Sequence, residues 1–307
     1  MALWDTIPYS LRQLQYLVAV GDLGGFRKAA DACGVAQPSM SAQVAQVEQA
    51  IGVQVFERSA RGVRVTAAGA RVIDRARAVL LASRDLADTA QQHRNPLHGT
   101  VRIGVIPTVC PYLLPDVTPS LNRSLPGLQI VWSEDKTRTL MREVAEGGLD
   151  AAILALDADV AAMEHVVIGQ DDFVLAGAKD NALVQARRPV SPRVLDGETL
   201  LLLEDGHCFR DQALALCGGA GAREGDLRAT GLSTLVQMVA ARGGATLLPS
   251  LALAVENRRG QLRVRPFVAP APSRTLVLAW RKGAARRQAL EAIGAQLRTA
   301  APLTRRR

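Results

Sequence analysis

Phe26-Arg27-Lys28-Ala29-Ala30-Asp31-Ala32-Cys33-Gly34-Val35-Ala36-Gln37-Pro38-Ser39-Met40-Ser41-Ala42-Gln43-Val44 is the stretch whose reading decides the N-terminal fold. Phe26, Ala29, Ala30 and Cys33 recur at i, i+3, i+4 and i+7, which is one face of a short helix. Gly34-Val35-Ala36 reads as a tight turn, and a second helix opens near Gln37-Pro38-Ser39, because proline is tolerated in a first turn. Met40, Val44, Val47 and Ile51 form its inward stripe. Ser39, Ser41 and Gln43 lie off that stripe, with Gln37 and Pro38 at the leading end. Two short helices joined by a glycine-containing turn make a helix-turn-helix. Such a second helix offers its N-terminal polar side chains to base edges while backbone contacts fix the register. Glutamine matches adenine and serine several edges.

Outward from this pair, Leu11, Leu14, Leu17 and Val18 recur at helical spacing behind Ser10, a plausible N-cap. Val53 to Arg58 and Val63 to Thr66 read as a small wing whose Arg58, Arg61 and Arg64 would meet phosphates. From Thr66 to about Gln92 a long amphipathic helix follows, with Val72, Ala76, Val79, Ser83, Leu86 and Ala90 as a heptad seam. A lone helix cannot bury that seam, so pairing with a second copy is expected, as suits a reader of paired half-sites. Arg94-Asn95-Pro96 ends the helix as a hinge.

Beyond the hinge, strand and helix alternate, the sign of a mainly parallel α/β sheet. Strands are expected at Thr100–Ile106, Gln129–Trp132, Asp150–Leu154, Phe173–Ala178, Leu200–Leu203, Ala245–Leu248 and Arg274–Trp280. Helices are expected at Tyr112–Arg123, Thr137–Glu146, Ser233–Ala241 and Ala285–Leu297. Thr108 falls just past the carboxyl end of the first strand, where open α/β sheets bind ligands. Two such lobes, with the chain crossing between them, would enclose a cleft.

Composition bounds the function. The chain of 307 residues has room for about two domains. Four cysteines over this length do not make a disulfide-dense secreted framework. The start Met1-Ala2-Leu3-Trp4-Asp5 lacks the basic and apolar runs of a signal peptide, and no apolar run approaches the roughly 18 residues of a membrane span. A reducing, cytoplasmic setting without membrane contact is expected. The net charge of +8 is weak evidence for nucleic acid. Nine Lys/Arg against Glu291 alone lie between Arg274 and Arg307, whereas Met1 to Thr66 carries six basic and five acidic residues. The Arg305-Arg306-Arg307 end reads equally as a solvated tail. His93, His98, His165 and His207 have no metal-ligand spacing, and nothing calls for a cofactor.

One segment carries chemistry. In Glu204-Asp205-Gly206-His207-Cys208-Phe209-Arg210-Asp211-Gln212 a thiol stands between His207 and Arg210, after the strand Leu200–Leu203 and the Asp205-Gly206 turn. Neighbouring positive charge and a helix N-terminus both favour a thiolate. Cys217 follows nine residues later. If the intervening segment is helical, the two Cα atoms lie roughly 13 Å apart at about 1.5 Å per residue, and a disulfide tolerates only about 4.4–6.8 Å. Joining them would require unwinding. The alternative, two inert buried thiols, stands level on the residues alone.

Met40 to Glu48, with Leu11, Ala29-Ala30, Phe56-Glu57-Arg58 and Val65-Thr66-Ala67-Ala68-Gly69, resembles the LysR-type transcriptional regulators. Ile103-Gly104-Val105-Ile106-Pro107-Thr108, Leu203 to Gln212 with Cys217, and Thr246-Leu247-Leu248-Pro249 are similar to the family's hydrogen-peroxide sensors, the OxyR branch. The likeness spans nearly the whole chain. It implies a winged helix-turn-helix domain at 1–66, a linker or dimerisation helix at 67–94 and a two-lobed, periplasmic-binding-protein-like regulatory domain at 95–307. Lobe I would take about 95–171 and 275–307, and lobe II about 172–274. The resemblance implies Cys208 as the thiol oxidised by hydrogen peroxide and Cys217 as its disulfide partner. Thr108, Thr137, His207, Arg210 and Asp211 would line the peroxide pocket. Taken alone, either threonine reads as a helix N-cap and His207 as an ordinary histidine. Promoter double-stranded DNA, RNA polymerase, a thiol reductant such as glutaredoxin or thioredoxin, and a homodimer or homotetramer are the implied partners. Oxidation would change how the lobes pair and so the spacing of the DNA-reading heads. Cys110 departs from the pattern, and Cys33 reads as structural. Two rivals remain: a LysR-type regulator answering a small molecule in the cleft, and a thiol peroxidase.

Overall fold

The computed structural model describes residues 7–59, 62–92, 95–186, 188–219 and 223–304. The chain divides into two compact units, Met1–Gln91 and Gln92–Arg307.

In the first unit Ser10 caps α1 (Leu11–Leu23) through a capping box with Gln13. Leu11, expected on the inward stripe, is instead 45% exposed, because as the first residue of α1 it precedes the turn that packs. Helix α2 (Phe26–Cys33) ends at Gly34, whose φ of 65° is the left-handed cap that turns the chain into α3 (Gln37–Ile51). Leu17, Val20, Phe26, Ala29, Ala30, Met40, Val44 and Val47 close the core. Strands β1 (Phe56–Ser59) and β2 (Gly62–Val65) form an antiparallel wing. The Glu48 carboxylate fastens it to α3 by accepting from the Val55 and Phe56 N–H at 2.7 and 3.0 Å. Helix α4 (Ala67–Gln92) buries Ile73 and Ala76 but leaves Val79 and Leu86 exposed.

The second unit is built on β3 (Gly99–Val105), α5 (Cys110–Ser124), β4 (Leu128–Glu134), α6 (Thr137–Glu146), β5 (Ala151–Ala155), α7 (Ala158–Ala161), β6 (Glu164–Ala178), β7 (Thr199–Leu203), α8 (Cys208–Gly219), β8 (Arg223–Ala229), α9 (Leu232–Arg242), β9 (Ala245–Pro249), α10 (Leu253–Glu256), β10 (Leu262–Pro266), β11 (Ser273–Trp280) and α11 (Arg287–Ala300). The strand order is β4-β3-β5-β11-β6-β9-β7-β8, with β10 beside β6. Strands β3, β4 and β5 run parallel in one half, and β7, β8 and β9 in the other.

Strand β6 belongs to both halves. Its first part pairs with β11 up to Asp172, and Phe173 onward pairs with β9. The sequence reading starts this strand at Phe173, whereas it begins at Glu164. The strand runs through Gln170-Asp171-Asp172 because buried Asp171 is neutralised by Arg274 on β11. Strands β8 and β10 are not among the strands expected from sequence: β8 is polar and without alternation, whereas β10 does alternate, Leu262 and Val264 with Arg263 and Arg265, but over only five residues that end at Pro266. Among the described residues, no helix is long and apolar enough to cross a membrane.

Candidate functional site

On the DNA side, Gln37, Pro38 and Ser39 are exposed at the start of α3, while Ser41 and Gln43 are half-buried. Arg64 is exposed and pairs with Glu57 across the wing at 2.7 Å. Arg58 lies in β1, but its side chain and all of Arg61 lie outside the described residues.

The thiol site gathers at the carboxyl ends of parallel strands, from segments that follow β3, β4 and β7. Thr108 lies in the turn after β3 and is buried. It is not a cap, since Val109 holds that position for α5. Its hydroxyl oxygen accepts from Arg274 Nη1 at 2.7 Å, and its carbonyl accepts from Nη2 at 2.9 Å. A hydroxyl that accepts from a guanidinium keeps its own proton to donate. Thr137 is the first residue of α6, capped by Lys136, and its Oγ1 is buried without a hydrogen-bond partner among the described residues. Cys208 is the first residue of α8, half-buried and not in a disulfide. Next to it His207 is 4% exposed, with Nε2 also buried and unpartnered. Burial lowers the imidazole pKa, as does the charge of Lys136; Glu204 and the Thr230 backbone push the other way. The ring is therefore biased toward its neutral form.

Arg210 and Asp211 are placed differently from the other expected pocket residues. The Arg210 guanidinium turns to β8, donating to both Glu224 oxygens at 3.0 and 2.9 Å and approaching Asp205 at 3.1 Å. Asp211 is largely exposed. Cys217 lies in α8, and its side chain is outside what is described.

Two residues that sequence reasoning missed organise the site. Arg274 and Asp171 are fully buried side chains joined at 3.0 and 2.9 Å. Arg274 also lies 5.4 Å from the ring centroid of Phe209, the neighbour of Cys208, so one guanidinium reaches both Thr108 and the start of α8. The available signal was an arginine opening the apolar strand Thr275–Trp280. Nearby, Cys110 opens α5, and its thiol is pushed up to about 12 by burial, then by hydrogen bonding and charge from Glu134. No group of three or more His, Cys, Asp and Glu among the described residues could hold a metal ion.

Residues 11–70 match the bacterial regulatory helix-turn-helix model of the lysR family, and residues 94–302 match the LysR substrate binding domain. The chain belongs to the LysR family of transcription regulators. Within this family it is 41% identical over 290 residues to the DNA-binding transcriptional dual regulator OxyR of Escherichia coli (strain K12), covering 94% of this chain and 95% of that one. It is equally similar, over the same shares, to a hydrogen peroxide-inducible genes activator of Dickeya chrysanthemi. A full-length OxyR variant from Pseudomonas aeruginosa superposes with a TM-score of 0.79 at 32% identity, covering 97% of this LysR-family chain and 98% of that structure. A Corynebacterium glutamicum OxyR variant with hydrogen peroxide bound gives 0.65 at 30% identity, covering 96% and 93%.

Proposed function

We propose that this LysR-family protein is a hydrogen-peroxide-sensing regulator of promoter DNA, switched by a reversible bond between Cys208 and Cys217. The observation that carries this reading is the half-buried thiol at the start of α8, next in sequence to His207 and on a segment tied by Lys136 to the start of α6; His207 Nε2 and Thr137 Oγ1 are both buried without a partner among the described residues. Such atoms are costly unless something polar visits them. Hydrogen peroxide, which both donates and accepts hydrogen bonds, fits them.

The Cys208 thiolate attacks one peroxide oxygen, the O–O bond breaks, and the departing hydroxide takes a proton to leave as water. Thr108, Thr137 and His207 are the groups placed to orient the peroxide and pass that proton. The resulting sulfenic acid is attacked by Cys217, giving the disulfide and a second water, and a dithiol protein such as glutaredoxin or thioredoxin restores both thiols. Arg210 and Asp211 act from the flank of α8, Arg210 by holding it to β8. Gln37, Pro38, Ser39, Ser41 and Gln43 read base edges, and Arg58, Arg61 and Arg64 hold phosphates. The domains divide at 1–66, 67–94 and 95–307, with lobes at about 95–171 plus 275–307 and about 172–274. The working form is a cytoplasmic dimer or tetramer whose oxidation alters head spacing and contact with RNA polymerase. It is a regulator, and its thiols turn over once per signal.

The test is thiol counting by mass spectrometry with peptide mapping, after about one equivalent of hydrogen peroxide. A Cys208–Cys217 link that dithiothreitol reverses, and that Cys208→Ser abolishes together with the transcriptional response, is expected. Four free thiols would leave the small-molecule regulator in its place. Sustained peroxide consumption with a thiol reductant would make the protein a peroxidase.

A further inference from the structure

Lys136 links the segment after β4 to the segment after β7. It caps α6 on the half of the sheet that carries Thr137, and its Nζ lies 2.7 Å from Glu204 Oε1 and 3.2 Å from the Asp205 carbonyl oxygen, on the turn that presents His207 and Cys208. Gly206 lets that turn approach. Its φ is +91°, and a Cβ there would stand 3.2 Å from Lys136 Cδ. The lysine stem thus lies against the turn where a larger residue would crowd it. Thr137 follows Lys136 in the chain and His207 follows the turn, and Thr137 Oγ1 and His207 Nε2 are both buried without a partner among the described residues.

The geometry points to Lys136 as a positioning residue for the peroxide reaction: by bonding Glu204 and the turn backbone it holds the start of α6, with Thr137, against the turn that presents His207 and Cys208. This rests on the sensor reading above and assigns the fixing of its proton-handling pair to a side chain outside that pair. The groups that act on the imidazole are Lys136, Glu204 and the Thr230 backbone. A neutral ring has a lone pair to take up a proton as well as an N–H to give one. A lone Glu204 beside it would favour the imidazolium, which can only donate. Lys136 removes that influence by pairing with Glu204, whose own titration it holds down.

The two ends of the Lys136–Glu204 strap make the same prediction for the rate and opposite ones for the His207 titration. Both Lys136→Met and Glu204→Gln break the link, so both should slow oxidation of Cys208 by hydrogen peroxide in the full-length reduced protein, by about ten- to a hundredfold, the cost of misplacing a reacting pair. The His207 ring-proton titration, followed by NMR in a Cys208→Ser background, should move to higher pH in Lys136→Met and to lower pH in Glu204→Gln. Lys136→Arg should restore most of the rate. A Lys136→Met protein with the parent's rate would overturn the assignment. So would slowed variants in which the His207 titration does not move, since a strap that only braced the fold would act that way. A parent protein inert to peroxide would overturn the sensor reading instead.

Discussion

Cys110 and Cys208 each open a helix, α5 and α8, yet their surroundings differ. Cys110 sits against Glu134, and its thiol is pushed up to about 12, chiefly by burial and then by that carboxylate. It stays protonated and is a poor nucleophile at neutral pH. Glu134→Gln should therefore bring its titration down part of the way, burial remaining, and raise its iodoacetamide alkylation rate near pH 9; an unchanged rate would show that Glu134 does not restrain it. The linkage sign follows from a raised value. The folded state holds this proton longer than the unfolded chain, so the associated stability is present below about 9 and is lost as pH climbs toward about 12. The Arg274–Asp171 pair is a second residue-scale case. With both side chains fully buried, Asp171→Ala leaves an uncompensated guanidinium and should cost about 3–5 kcal/mol, measured by urea denaturation. Converting both residues together to apolar ones of similar size should cost much less. Equal costs would show that the charge pairing is not what matters.

Helix α8 is the element that must change. Cys208 and Cys217 both belong to it, and a nine-residue helical step of roughly 13 Å at about 1.5 Å per residue far exceeds disulfide reach, so the bond cannot close on the helix as it stands. What resists unwinding includes the pairing of Arg210, itself only 11% exposed, with Glu224 on β8 and with Asp205. Arg228 also approaches Glu224 and Asp205. Glu224→Gln should loosen the first turn and speed disulfide closure several-fold after oxidation, read by rapid acid quench and mass spectrometry; closure at the parent's rate would mean that α8 opens elsewhere first. The same element marks the limit of sequence reading. The strand–turn–helix frame around Cys208 was legible, because the Leu200–Leu203 run, the Asp205-Gly206 turn and the following amphipathic residues are local signals. The helix-turn-helix was equally so, its stripe of Met40, Val44 and Val47 being fully buried. What was not legible is non-local: Arg210 turning to a β8 glutamate fourteen positions on, Lys136 crossing to Glu204, and Arg274 meeting Asp171 across two paired strands. Nothing in a local pattern says which distant opposite charge a side chain will find.

At the scale of the molecule, the two compact units have different needs. Each unit closes a core of its own, and in the DNA-binding unit the exposed apolar surface includes a stretch of one long helix. A cavity of about 400 Å³ opens along α4, lined by Leu14, Val47, Ile51, Val72, Ala76 and Val79 among others. Farther along the same helix, Leu86 is 74% exposed. The inward half of the heptad seam, Val72 and Ala76, packs against its own domain, whereas Val79 and Leu86 stay 45% and 74% exposed among the described residues. A second α4 supplies the match in the proposed dimer, since a seam with this repeat is satisfied by its own copy. Dimerisation also places two reading helices on one duplex, so that DNA affinity depends on the linker as well as on the bases. Leu86→Glu puts a charge into that seam while leaving the core of either unit intact. Its melting transition should therefore stay near the parent's. Sedimentation should shift toward the monomer, and binding to a two-half-site duplex should weaken by about tenfold or more, as loss of linked binding predicts, with little change on an isolated half-site. If the substituted protein sediments and binds as the parent does, the seam is not the dimer contact, and the exposed apolar face of α4 must be covered by another surface.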